Sequence, residues 1–244
     1  MRIDTAAHAS RWRDVAASAK ALFALGGTVA AWTAHRPATL ALLLAVLVLA
    51  ALLGARVPLR TYLAAALAPC GFLLLSCLAM LFTLDPSGAP SWSDAPLPDV
   101  ARTALRALAV LAALLGLVLT TPLPDLLALL RRLRVPELLL DLMALCYRML
   151  FVLRQAWDEG ATAQRARLGY GGWAQAWRST GLLAGQMAVQ VWQRAGALQA
   201  AADARCYDGR LRFLPSSVPH SSRHLRIALL GAAVLVAVAL GERL

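Results

Sequence analysis

The stretch Thr61–Leu84, TYLAAALAPCGFLLLSCLAMLFTL, runs without a single Asp, Glu, Lys or Arg. A helix crossing a hydrocarbon layer about 30 Å thick needs about 20 mainly apolar residues. Lipid offers the backbone no hydrogen-bond partners, so such a segment has to be helical. Reading outward, a second long apolar run, Leu105–Thr121, stops at Thr121-Pro122-Leu123-Pro124. Between the two, Asp85–Pro98 carries Pro86, Gly88, Pro90, Pro96 and Pro98 and reads as a loop by its turn chemistry. Upstream, Ala21–Ala34 and Ala38–Leu53 flank His35-Arg36-Pro37 and read as a tight hairpin of two short spans. Downstream, Ile227–Leu240 is a further short span. The fold expected is an all-α integral membrane protein of about five transmembrane helices.

Composition points the same way. Hydrophobic residues make up 60% of the chain and charged residues only 15%, against about 25% charged in an ordinary soluble domain. The net charge is +11, and every cation but Lys20 is arginine. Acidic partners are therefore expected, such as anionic headgroups or an acidic protein surface, and nucleic acid fits poorly with so much lipid-compatible sequence. Residues 1–20 hold Asp4, Arg11, Arg13 and Asp14 without a short apolar core and cleavage site, so they read as a cytoplasmic lead-in rather than a cleaved signal.

From Asp125 to Arg226 the pattern changes. Arginines interrupt the apolar residues at Arg131, Arg132, Arg134, Arg148, Arg154, Arg165 and Arg167, among others. An arginine at the bilayer centre costs about 2.5–3.5 kcal/mol on insertion scales. This block is therefore expected along or below the interface. The organisation that follows is residues 1–20 as lead-in, 21–121 as four spans, 122–224 as a cytoplasmic or interfacial block and 225–244 as a final span. With the N-terminus inside, 20 of the 24 cations fall inside, in keeping with the positive-inside bias.

Several chemistries lack their residues. A phosphate loop needs G-x-x-x-x-G-K-[ST], and the lone lysine lies in Ala-Ser-Ala-Lys-Ala-Leu, so nucleotide work falls to a partner. Cys70, Cys77, Cys146 and Cys206 are scattered and read as small apolar residues. His220 and His224 have i, i+4 spacing but follow Pro215 and Pro219, where a helix is not expected. Ala204-Arg205 and Asp208-Gly209 superficially echo the motif of phosphatidyl-group transferases. The order is reversed, and no acidic residue follows until Glu242 to hold a divalent ion. No catalytic residue, metal ligand or cofactor is assigned.

What the block does contain is a quasi-repeat. Ala163–Gly171 can be laid on Ala201–Gly209 at a fixed offset, matching Ala166-Arg167 to Ala204-Arg205 and Gly171 to Gly209. Each copy ends a long helix-compatible run, and arginine suits the negative end of a helix, so the bland reading is two helices capped alike. The functional reading is a small, close-approach surface beside a planar guanidinium, suited to a groove of carboxylates or carbonyls. Between the copies, Gly181 and Gly185 have the small-x-x-x-small spacing that permits close helix crossing.

The motifs Ala166-Arg167-Leu168 and Ala204-Arg205-Cys206, with the tail Tyr207-Asp208-Gly209-Arg210-Leu211, resemble the transmembrane T components of energy-coupling factor transporters. The family pattern is Ala-Arg-Gly at both places, and this chain departs from it at Leu168 and Cys206, which bears on how closely helices pack there. Ile3-Asp4 followed by Ser10-Arg11-Trp12-Arg13 is similar to the cobalt and nickel branch of that family. The resemblance implies two cytoplasmic ATP-binding cassette subunits that hydrolyse ATP and a separate membrane subunit that captures the substrate. This chain would couple them in a prokaryotic (inner) membrane, without enzymatic activity of its own. It further implies that Arg167 and Arg205 each sit in a groove of one ATPase. Cobalt or nickel is the implied cargo. A vitamin such as biotin, and an intramembrane enzyme of lipid metabolism, stand as the alternatives.

Overall fold

The computed structural model describes residues 7–84, 90–92, 97–206 and 222–242. They form α1 (Ala17–Thr33), α2 (Pro37–Leu49), α3 (Leu59–Leu81), α4 (Leu97–Thr120), α5 (Leu123–Arg132), α6 (Glu137–Ala166), α7 (Trp173–Asp203) and α8 (Ser222–Leu240). A π-helical turn, Ala50–Gly54, continues α2, and a 3-10 turn, Arg11–Asp14, precedes α1. One short antiparallel hairpin joins α3 to α4, with β1 (Phe82–Leu84) paired to β2 (Pro90–Trp92) in the register Phe82↔Trp92, Thr83↔Ser91, Leu84↔Pro90. The chain divides into two compact units, Met1–Leu129 with Ser216–Leu244, and Leu130–Pro215.

In the first unit, four helices are long and apolar enough to cross a membrane: α2 with its π-turn, α3, α4 and α8. The 17-residue α1 packs against α8 and α4; it is the one of the five expected spans that is not among these four. Their core is built largely of alanine: Ala30, Ala31, Ala34, Ala109, Ala112, Ala113 and Ala239 surround Leu40, Leu43, Leu47 and Leu235. Small side chains are what membrane helices need, because lipid removes the hydrophobic drive and leaves close packing to hold them together. The closest approach joins α1 to α8. A Cβ placed on Gly26 would lie 2.9 Å from the Ala232 Cα, so this crossing is made backbone to backbone. By contrast, α3 buries only Tyr62, against Ala51, Ala55, Val57 and Leu119, and presents Leu67, Phe72, Leu74 and Leu75 outward.

The spans begin where tertiary partners allow rather than where charges end. α1 starts at Ala17, so Lys20 lies inside it, buried, with its Nζ donating to the Thr120 carbonyl at the end of α4 (2.8 Å). At the opposite end of this antiparallel pair, Arg106 of α4 donates from Nε to the Ala31 carbonyl (3.1 Å) and from Nη2 to the Ala34 carbonyl (2.9 Å). Its guanidinium also stands 5.6 Å from the Trp32 ring centroid. Each helix thus supplies the cation that meets the unsatisfied C-terminal carbonyls of the other. Two threonine hydroxyls are answered locally, Thr28 donating to the Ala24 carbonyl and Thr120 to the Gly116 carbonyl.

Two expectations are corrected here. α4 begins at Leu97, not Leu105, because Arg102 pairs with Asp99 (2.7 Å) and Arg106 with α1, so neither arginine breaks the helix. Asp85–Pro98 is not all loop: Pro90–Trp92 pairs with β1, and Leu97 and Pro98 open α4, where proline is compatible with the first turn. Asp85 and Asp94 lie outside the described residues.

Both ends of the unit are tied down. Glu242 follows α8 and its Oε2 accepts from the backbone N–H groups of His35 (2.9 Å) and Arg36 (3.1 Å), capping the start of α2 from 206 residues away. The Arg11 N–H donates to the Ala55 carbonyl (3.1 Å), and the Trp12 indole lies on Gly54, where an added Cβ would come within 2.8 Å of the ring.

Candidate functional site

The second unit is built on α6 and α7, and both Ala-Arg motifs fall at their C-terminal ends. α6 is polar enough to stand in water along one face, with Arg154 bridging to Asp158 (3.1 Å) and Gln155 donating to Glu159 (2.8 Å) one turn apart. Its apolar stripe includes Tyr147 and Phe151 in edge-to-face contact. The two helices meet where Gly160 of α6 faces the buried Leu183 of α7. Buried Ser179 fixes the turn between them by donating its hydroxyl to the Gly169 carbonyl (2.8 Å). A side chain at Gly169 would come within 2.6 Å of that hydroxyl, so this position admits only glycine.

At the end of α6 the Leu168 N–H bonds the Arg165 carbonyl (3.0 Å) and the Gly169 N–H bonds the Gln164 carbonyl (2.8 Å). These are the paired 5→2 and 6→1 bonds of a Schellman terminus, with Arg167 as the cap and Leu168 left-handed at φ 56°. α7 ends in part alike: its cap is Ala204, Cys206 is left-handed at φ 52° and the Cys206 N–H bonds the Asp203 carbonyl (3.0 Å). The continuation, Tyr207-Asp208-Gly209-Arg210-Leu211, lies outside the described residues, as does His220. Ala166, Arg167, Leu168, Ala204, Arg205 and Cys206 are all exposed.

This geometry revises what the third residue of each motif is for. The left-handed backbone at Leu168 and Cys206 accounts for glycine there in the family pattern, since an L side chain costs about 1–2 kcal/mol in that conformation. Among the described residues both positions are exposed, so no packing within them calls for glycine. Arg56 and Arg134 adopt the same conformation, so the bend itself is a general terminator in this chain. What sets the two motif ends apart is an exposed arginine directly before it. Leu168 is 77% exposed and loses no burial on truncation. Leu168→Gly should therefore stabilise the last turn of α6 by about 1 kcal/mol, visible as about fivefold slower amide exchange there. Unchanged or faster exchange would contradict the strain reading.

Gly181 and Gly185, expected at a helix crossing, do not make one among the described residues. A Cβ on either would meet nothing within 4 Å, and α6 and α7 cross at Gly160–Leu183 instead. Nothing in the spacing around Gly160 marked it beforehand, because the crossing pairs a lone glycine with a leucine. Among the described residues no three His, Cys, Asp or Glu side chains gather at metal-binding distance.

Comparison with known proteins matches the sequence to one family. A family described as cobalt transport protein, CbiQ, matches residues 9–215. The cobalt transport protein CbiQ of Rhodobacter capsulatus is 37% identical over 237 residues, covering 96% of both chains. That of Salmonella typhimurium is 32% identical over 58% of this chain and 68% of its own. A putative fused cobalt transport protein, CbiMQ, of Methanocorpusculum labreanum is 30% identical over 89% of this chain but only 38% of its own length. Matched over residues 9–215 and along almost the whole of a relative, the chain belongs to the CbiQ family of cobalt transport proteins.

Proposed function

We propose that this chain is the transmembrane coupling component of an energy-coupling-factor importer, carrying the motion of two ATP-binding cassette subunits to a substrate-binding membrane subunit that takes up cobalt. The observation that supports it best is the duplication: α6 and α7 each run on to a left-handed residue directly after an exposed arginine. Two equivalent contacts suit a pair of like ATPases, and a planar guanidinium on a fixed helix end suits bidentate pairing with a carboxylate or two carbonyls. Rigid helices ending at the contact can transmit a displacement without dissipating it in loops.

Cobalt, rather than nickel or a vitamin, is favoured by the names of the relatives. The fused relative supports a second membrane component as the immediate neighbour, since there the matching segment is joined to further chain. The N-terminus lies on the cytoplasmic side of the cell membrane, by the arginine distribution. No step of catalysis is assigned to this chain. Capture of an ATPase from solubilised membranes by the wild-type chain, and its loss in the Arg167→Glu/Arg205→Glu variant, tests the reading; equal capture by both would sink the arginines' role.

A further inference from the structure

A groove of about 570 Å³ opens in the first unit between the 3-10 turn, the start of α1, the π-turn and the start of α8. Two chemistries meet there. Arg11, in the 3-10 turn, and His224, near the start of α8, supply polar groups to its lining, while Phe23, Ile227, Ala228 and Gly231 supply apolar ones further along α1 and α8. The floor is rigid: Trp12 is seated on Gly54, Arg11 is tied through its backbone to Ala55, and Ala50 and Gly54 belong to the π-turn. Such turns recur at functional sites because they open the helix surface.

Three observations converge on one kind of occupant. His224 lines the groove, and an imidazole can hydrogen-bond to a phosphate oxygen. Lys20 also lines the groove, but its amino group is already committed to the Thr120 carbonyl, leaving Arg11 and His224 to meet a ligand. The apolar walls lie on α1 and on the membrane-crossing α8, so an acyl chain entering there stays in hydrocarbon. We infer that this groove is a binding site for an anionic phospholipid, its phosphate between Arg11 and His224 and one acyl chain along Phe23, Ile227 and Gly231. Arg11 offers the forked donor geometry that suits a phosphate diester, and the site does not depend on which face of the membrane is cytoplasmic.

The test uses the full chain, reconstituted in nanodiscs of phosphatidylglycerol and phosphatidylcholine, released into detergent and weighed by native mass spectrometry. Wild type should retain phosphatidylglycerol in at least about fivefold preference over phosphatidylcholine. Arg11→Ala/His224→Ala should abolish that preference, while Arg223→Ala, an equal loss of charge on an exposed neighbour outside the groove, should keep it. Val15→Trp, which fills the groove and leaves Arg11 and His224 in place, should release the lipid as well. Folding of each variant is checked by its thermal midpoint in the same detergent. Equal retention of both lipids by wild type, an undiminished preference in Arg11→Ala/His224→Ala, or an undiminished preference in a folded Val15→Trp would each overturn the assignment. So would retention of added inorganic phosphate in place of lipid.

Discussion

Cobalt uptake should fall to background in cells carrying Arg167→Glu/Arg205→Glu, with the protein still inserted in the membrane at wild-type levels. Each arginine is exposed at a helix terminus, so reversal removes no contact inside this chain. A hydrogen bond to a charged group contributes about 1.5–3 kcal/mol, and two such losses correspond to at least about a hundredfold weaker ATPase binding. If carboxylates line the proposed ATPase groove, their repulsion adds to this. Arg→Lys at both positions should fall between, because it keeps the charge and loses the planar fork. Radioactive cobalt accumulation, with ATPase capture measured in parallel, separates the outcomes. Wild-type uptake by the double reversal would remove Arg167 and Arg205 from the coupling path. Loss of uptake with the ATPase still bound would place them in transmission rather than docking.

The largest effect on the fold is expected at the α1–α8 crossing. Gly26 faces the Ala232 backbone, so Gly26→Leu must push two helices apart and cannot be relieved by rotating a side chain. The cost should be about 3 kcal/mol, read as a lower thermal midpoint and earlier aggregation of the solubilised protein. Gly71→Leu in α3 is the control, since nothing lies within 4 Å of a Cβ there and the helix itself gains. Equal behaviour of the two variants would mean that α1 and α8 do not meet as described.

These two sites show where sequence reading reached and where it stopped. Thr61–Leu84 was legible as a span because nothing in it depends on a partner, and α3 indeed buries only Tyr62. The starts of α1 and α4 were not, because Lys20 and Arg106 look like boundaries until the carbonyls that receive them are known to lie 100 and 75 residues away. The quasi-repeat of α6 and α7 announced two similar helix ends, and in the structure both reach a left-handed residue directly after the motif arginine, although the caps themselves are Arg167 and Ala204. Why glycine is usual after the arginine needed a backbone angle, and residue type alone pointed to packing instead. The Gly181 and Gly185 spacing was plain in the sequence, yet spacing carries no information about which chain, if any, comes close.

The exchange of cations between α1 and α4 also sets an order of events during synthesis. Lys20 leaves the ribosome 100 residues before Thr120, and at about 5–20 residues per second that interval lasts about 5–20 s. Through it α1 has an unanswered ammonium at one end and unanswered carbonyls at the other, so it cannot settle as an independent span. The first helix to be made is thus among the last to be completed, and the insertion machinery must hold it until α4 arrives. Nascent chains arrested before Thr120 emerges should leave the Lys20 amine open to an aqueous acylating reagent, and chains extended past α5 should protect it. Protection already present in the shorter chains would show that α1 finds its place alone.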